Sequence, residues 1–228
     1  HKGMKVKFHL LRLTSFIILL SSCEKMGLKE SYLALGDSYT VGESISKKHT
    51  WPKQLVDSLK KRNIFLSEPR IIAKTGWTTD ELKKAINDSS LDYPYDWVSL
   101  LIGEQNQYRG RDLDEFKLQF ESLLSEAIAF SGNRKERVFV ISIPDWGSMP
   151  YAKHRDPNKI AIEIDNFNQI IYEVCAFENI KFIDITPITR SIYSNPNWIA
   201  KDSLHPSKEQ YSKWVEKMIP YFLNFKND

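Results

Sequence analysis

The chain has 228 residues, a formal net charge of +3 and two cysteines, Cys23 and Cys175. Four of its cations, Lys2, Lys5, Lys7 and Arg12, lie in residues 1–22, which hold no acid, so +3 becomes −1 for the remainder. That balance leaves no basic field for nucleic acid, and two cysteines exclude a disulfide framework.

From Met4 the sequence reads MKVKFHLLRLTSFIILLSSC: a basic start, an apolar run, then small residues before a cysteine. This is the layout of a secretory signal peptide over residues 1–22, too short and too basic at its flank for an ordinary membrane span. Leu20-Ser21-Ser22-Cys23 resembles a bacterial lipobox, in which the cysteine is lipidated after cleavage. The expectation is an exported lipoprotein held to the membrane through Cys23; a plain signal peptide or a single membrane anchor is the alternative. Residues 24–30 read as a short linker, and residues 31–228 as one domain with a sizeable core.

Within that domain short apolar runs alternate with longer amphipathic ones. YLALG (32–36), RIIA (70–73), WVSLLI (97–102), RVFVISI (137–143) and IKFIDI (180–185) read as strands. Most are apolar throughout, as strands covered on both faces must be. Helical patterns lie between them at about 51–62, 79–88, 112–131, 158–178 and 207–225. In the fourth, Ile160, Ile164, Phe167, Ile171 and Val174 form one stripe, with Cys175 beside it as a small buried residue. Pro52 and Pro206 sit where a helix opening tolerates proline. This alternation predicts a three-layer α/β/α sandwich around a five-stranded parallel sheet, flavodoxin-like in order, with its ligand beyond the carboxyl ends of the strands.

The segments expected on that rim are GDSYT (36–40), KTGWTTDE (74–81), GEQNQY (103–108), PDWG (144–147) and KDSLHPS (201–207). Each has a structural reading as well as a chemical one. Ser38 follows the first strand and is as well placed to cap a helix as to attack a carbonyl. The G-x-S-x-G elbow is absent, since Thr40 stands at its last position. Asp202 and His205 are three apart, so a carboxylate can hold the imidazole, or Asp202 or Ser203 can cap the last helix. His49 and His154 lie in charged contexts and read as surface residues. Gly76 is a turn glycine or a backbone donor, while Trp77 and Trp146 favour packing over substrate contact. The carboxamides Gln105, Asn106 and Gln107 form a polar turn or a set of neutral donors. No HExxH, paired histidine or CxxC points to a metal, and no GxGxxG or GxxxxGK[ST] to a nucleotide; no cofactor is expected.

Taken in order, Gly36-Asp37-Ser38-Tyr39, Gly76, Gly103 with its carboxamides and Asp202-x-x-His205 resemble the SGNH (GDSL-type) hydrolases from about Tyr32 to Phe225. IPDWGSMPYA and IEIDNFNQII are similar to the lysophospholipase-like esterase branch. The resemblance implies Ser38 as nucleophile, His205 as base oriented by Asp202, and an oxyanion site made by the backbone N–H groups of Ser38 and Gly76 with an asparagine side chain. Alignment on Gly103 puts Gln105 where that asparagine belongs and Asn106 one position later, so either is a candidate third donor. The implied activity is hydrolysis of carboxylic esters, lysophospholipid or short-chain acyl, through an acyl-serine. Alternatives are a carbohydrate O-deacetylase of the same family and a catalytically impaired lipoprotein that binds a glycan or lipid.

Overall fold

A computed structural model describes residues 29–225; the expected signal segment and Cys23 lie outside the described residues. Five strands form one parallel sheet in the order β2-β1-β3-β4-β5: β1 Tyr32–Gly36, β2 Arg70–Ala73, β3 Trp97–Leu101, β4 Val138–Ile141 and β5 Lys181–Ile183. The central three are buried along their whole length, whereas edge strands β2 and β5 begin exposed. Their apolar composition follows from that position, because a central strand meets a helix on both faces.

Successive side chains divide between the two faces. Leu33 and Leu35, Val98 and Leu100, and Val138 and Val140 pack toward helices α3 (Thr79–Asn87), α5 (Leu113–Phe130) and α6 (Pro157–Glu178). Tyr32 and Ala34, Trp97 and Leu101, and Phe139 and Ile141 face α2 (Trp51–Lys60) and α8 (Lys208–Asn224). This period of two separates the cores above and below the sheet. Cys175 is fully buried on α6.

Helix ends follow local capping chemistry. Asp112 and Asp156 accept hydrogen bonds from the first turns of α5 and α6, and Pro157 occupies the first turn of α6, where no N–H is needed. Ser207 caps α8 by accepting from Glu209 and Gln210 N–H. Neither Asp202 nor Ser203 is that cap. Pro206 lies one residue ahead of it, in a β-bridge with Ile199, and not inside the helix opening.

Three short helices escape the periodic reading: α1 (Ser38–Val41), α4 (Glu104–Tyr108) and α7 (Thr186–Arg190). The carboxamide cluster is therefore the helix α4, and not a turn.

Candidate active site

The site begins where β1 runs into α1. Gly36 ends the strand because no side chain fits there: a Cβ would lie 2.3 Å from Thr40 Oγ1 and 2.5 Å from the Leu101 carbonyl oxygen. Asp37 then caps α1, its Oδ1 accepting from Tyr39 N–H at 3.0 Å. Ser38 is thereby fixed in the first position of a one-turn helix, 2 % exposed. From the far end of the chain, His205 Nε2 lies 2.9 Å from Ser38 Oγ, and its Nδ1 lies 2.6 Å from Asp202 Oδ2.

The imidazole is held by its surroundings. Residues 199–206 form a small hairpin, closed by the Ile199–Pro206 bridge and by Ala200 N–H donating to the His205 carbonyl. The Tyr39 ring packs 5.2 Å from that of His205, and Tyr211 of α8 donates its hydroxyl to the Tyr39 carbonyl. Asp202 Oδ1 accepts from Leu204 and His205 N–H, and Oδ2 also accepts from Ser44 Oγ at 2.6 Å. Burial works against ionisation of this carboxyl, but the Ser44 bond and the backbone donors outweigh it and bring the pKa down to about 2. Asp202 is a carboxylate throughout the neutral range.

The other rim segments close around this pair. Neither the Ser38 nor the Gly76 backbone N–H has an acceptor among the described residues. The Gly76 loop is tied down by Arg109, whose guanidinium donates to the Gly76 carbonyl at 2.5 Å and to the Glu81 carboxylate. The Thr75 hydroxyl bonds the Glu43 carboxylate, linking this loop to the segment after α1.

Helix α4 assigns its side chains separate tasks. It starts at Gly103, whose φ of +127° suits glycine and whose Cβ would meet Ile143 at 2.8 Å and the Phe116 ring at 2.9 Å. Asn106 is buried: Nδ2 donates to Thr79 Oγ1 at 2.7 Å and Oδ1 accepts from Thr79 N–H at 3.1 Å. Its carboxamide joins α4 to α3, a structural task that makes Gln105 the better-placed candidate for third donor. Gln107 is buried too, accepting from Trp146 Nε1 and donating to Glu163, both at 2.7 Å. Trp146 is therefore anchored by packing and a hydrogen bond, and Trp77 packs half-buried against the core. Gln105 is half-buried and donates through Nε2 to Glu104 Oε2 at 2.8 Å. His154 is exposed and His49 half-buried, and neither joins the site.

Ser44, Glu104 and Arg109 complete this arrangement and are not legible in the sequence. Ser44 and Arg109 act across loops whose approach only the fold creates. Glu104 carried the one available signal, a charged side chain between an apolar strand and the carboxamides.

Residues 34–213 match the model of the GDSL-like lipase/acylhydrolase family. The chain belongs to that family. Its fold is shared with solved members. The psychrotrophic esterase EstA from Pseudoalteromonas sp. aligns at a TM-score of 0.67 and 16 % identity, over 88 % of this chain and 100 % of that one. TesA aligns at 0.67 and 16 %, over 84 % and 97 %. Axe2, an acetylxylan esterase from Geobacillus stearothermophilus, aligns at 0.63 and 19 %, over 86 % and 95 %. No curated protein matches the chain. The family makes the chain an ester hydrolase, and the five-stranded parallel sheet with its helices is the fold of these structures.

Proposed function

We propose that the chain is a serine esterase acting through an acyl-serine, with Ser38, His205 and Asp202 as its triad. The observation that carries this reading is the hydrogen-bonded chain from Ser38 Oγ through both imidazole nitrogens to a carboxylate. Asp202 accepts the Nδ1 proton, which leaves the Nε2 lone pair facing the serine hydroxyl. As the serine oxygen bonds to the ester carbonyl carbon, its proton passes to Nε2 and the carbonyl electrons move to oxygen. The unengaged N–H groups of Ser38 and Gly76 and the remaining amide hydrogen of Gln105 Nε2 receive that oxyanion. Collapse of the intermediate breaks the bond to the alcohol oxygen, which takes the proton from Nε2. Water then repeats the sequence on the acyl-serine, releasing the acid and restoring Ser38.

The preferred substrates are lysophospholipids or short-chain acyl esters, after the branch that IPDWGSMPYA resembles. Carbohydrate O-deacetylation is the second reading, favoured by the exposed rings of Tyr108 and Tyr151 beside Trp146, at centroid distances of 5.2 and 6.4 Å from it. Such faces suit a sugar ring. We also infer export and lipidation at Cys23, for which metabolic labelling with a palmitate analogue, lost in Cys23→Ala, is the test.

Turnover of p-nitrophenyl esters from acetate to decanoate by the chain lacking residues 1–23 tests the activity. The expected result is hydrolysis that falls by at least about 10³-fold in Ser38→Ala. Turnover equal in the two proteins would overturn the reading. Lysophospholipid and acetylated xylooligosaccharide, assayed side by side, separate the two substrate classes.

A further inference from the structure

Beside Ser38 lies a group that acyl transfer does not require. Glu104, the first residue of α4, is 4 % exposed. Gly103 before it has no room for a Cβ, which would meet Ile143 and the Phe116 ring, so the backbone at this turn is closely packed. No cation forms an ion pair with the carboxylate among the described residues: Arg109, which follows α4 as its C-cap, is engaged by the Gly76 carbonyl and Glu81. The hydrogen bond Glu104 does make is to Gln105 Nε2, at 2.8 Å.

What faces Glu104 is mostly acidic or neutral. From the β1–α1 turn come Asp37 and Tyr39, which flank Ser38; burial first, and the Glu104 charge second, opposes their ionisation. Tyr151, from the segment after β4, is raised chiefly by its hydrogen bond to Tyr108 of α4, with Arg155 acting against it and Glu104 adding last. Asp202 acts on the same Tyr39 from the hairpin that carries His205. Asp37 is itself fully buried with Oδ2 unpartnered and is held toward its neutral form, chiefly by burial, so nothing here offsets a charge on Glu104.

We propose that Glu104 is a positioning residue of the oxyanion site, which its neutral carboxyl group keeps competent and its ionisation shuts down. The proposal rests on the esterase reading. Acylation develops a full negative charge on the carbonyl oxygen at the Ser38 turn, and an unpaired carboxylate one residue from the third donor repels it. The same ionisation turns the Glu104–Gln105 contact into a charge-assisted bond, which holds the Gln105 amide more tightly and withdraws it from the oxyanion. Both effects reduce kcat and leave KM nearly unmoved. Burial pushes the Glu104 carboxyl up to about 7, with the Gln105 bond and Arg109 acting against it, so the switch falls within the working range.

The test measures kcat for a p-nitrophenyl ester and the rate of Ser38 labelling by a fluorophosphonate between pH 6 and pH 9.5. Rates are corrected with Ser38→Ala, and folding is verified by circular dichroism at each pH. The wild-type chain should lose roughly tenfold per pH unit above the turn, while the pH 9 to pH 7 ratio in Glu104→Gln stays near or above about 1. Wild-type rates level to pH 9.5 overturn the proposal whatever the variant does, which covers a variant that fails to fold. A Glu104→Gln profile with the same alkaline decline also overturns it, and assigns the decline to another group, Asp37 first. Absence of Ser38 labelling at every pH overturns the esterase reading itself, whereas labelling with a flat profile overturns the role of Glu104 alone.

Discussion

Gln105 and Asn106 are adjacent carboxamides with opposite commitments. Asn106 uses both ends on Thr79, in a buried joint between α4 and α3. Gln105 stays half-buried with an amide hydrogen to spare. Gln105→Ala should therefore lower kcat by about 10²-fold with little change in unfolding free energy. Asn106→Ala should cost about 1–3 kcal/mol of stability, since Thr79 N–H is left buried without its acceptor. Chemical denaturation and steady-state kinetics on both variants decide this, and a large kcat loss confined to Asn106→Ala would reverse the assignment. Glu104 gives a second prediction at this scale. Its carboxyl is raised from 4.5 to about 7, so the folded state holds a proton that the unfolded chain has lost between those values. Stability must fall as pH rises through that window, by on the order of 3 kcal/mol, and Glu104→Gln should remove the fall. Asp202 works in the opposite sense: its contribution is present above the ordinary carboxylate value and lost only as pH drops toward about 2.

At the scale of elements, legibility followed length. Helices α2, α3, α5, α6 and α8 span nine to twenty-two residues and show a repeating apolar stripe, so each lies within about two residues of its expected position. Helices α1, α4 and α7 have four or five residues, shorter than the window in which a 3.6-residue period can register. The Ser38–His205–Asp202 set was legible through its ordered motifs. Ser44 and Arg109 were not, because a side chain that reaches across loops leaves no spacing to read. Capping also differs from expectation: Ser207, and not Asp202, satisfies the start of α8, which leaves Asp202 free for the imidazole. Ser207→Ala should cost about 1 kcal/mol and lower Tm by a few degrees, without altering the Asp202–His205 pair. A change in the pH dependence of kcat with no change in Tm would show that the two roles are not separate.

On the scale of the molecule, Ser38 and His205 are 167 residues apart in sequence and meet only because β1 and the hairpin before α8 end on one rim. Helix α8 contributes buried Tyr211, Trp214, Met218 and Phe222 to the core it shares with α2. A chain ending at Ser207 keeps Ser38, Asp202 and His205 yet should neither fold nor react with a fluorophosphonate. Labelling of Ser38 in that truncation would show that the site assembles without its last layer. Among the described residues the serine turn follows the first strand, and the hairpin carrying its proposed base precedes the last helix. Until that hairpin docks, the serine proposed as nucleophile is as inert as any other. Under the proposed mechanism, activity is in effect a report that α8 has seated against the sheet.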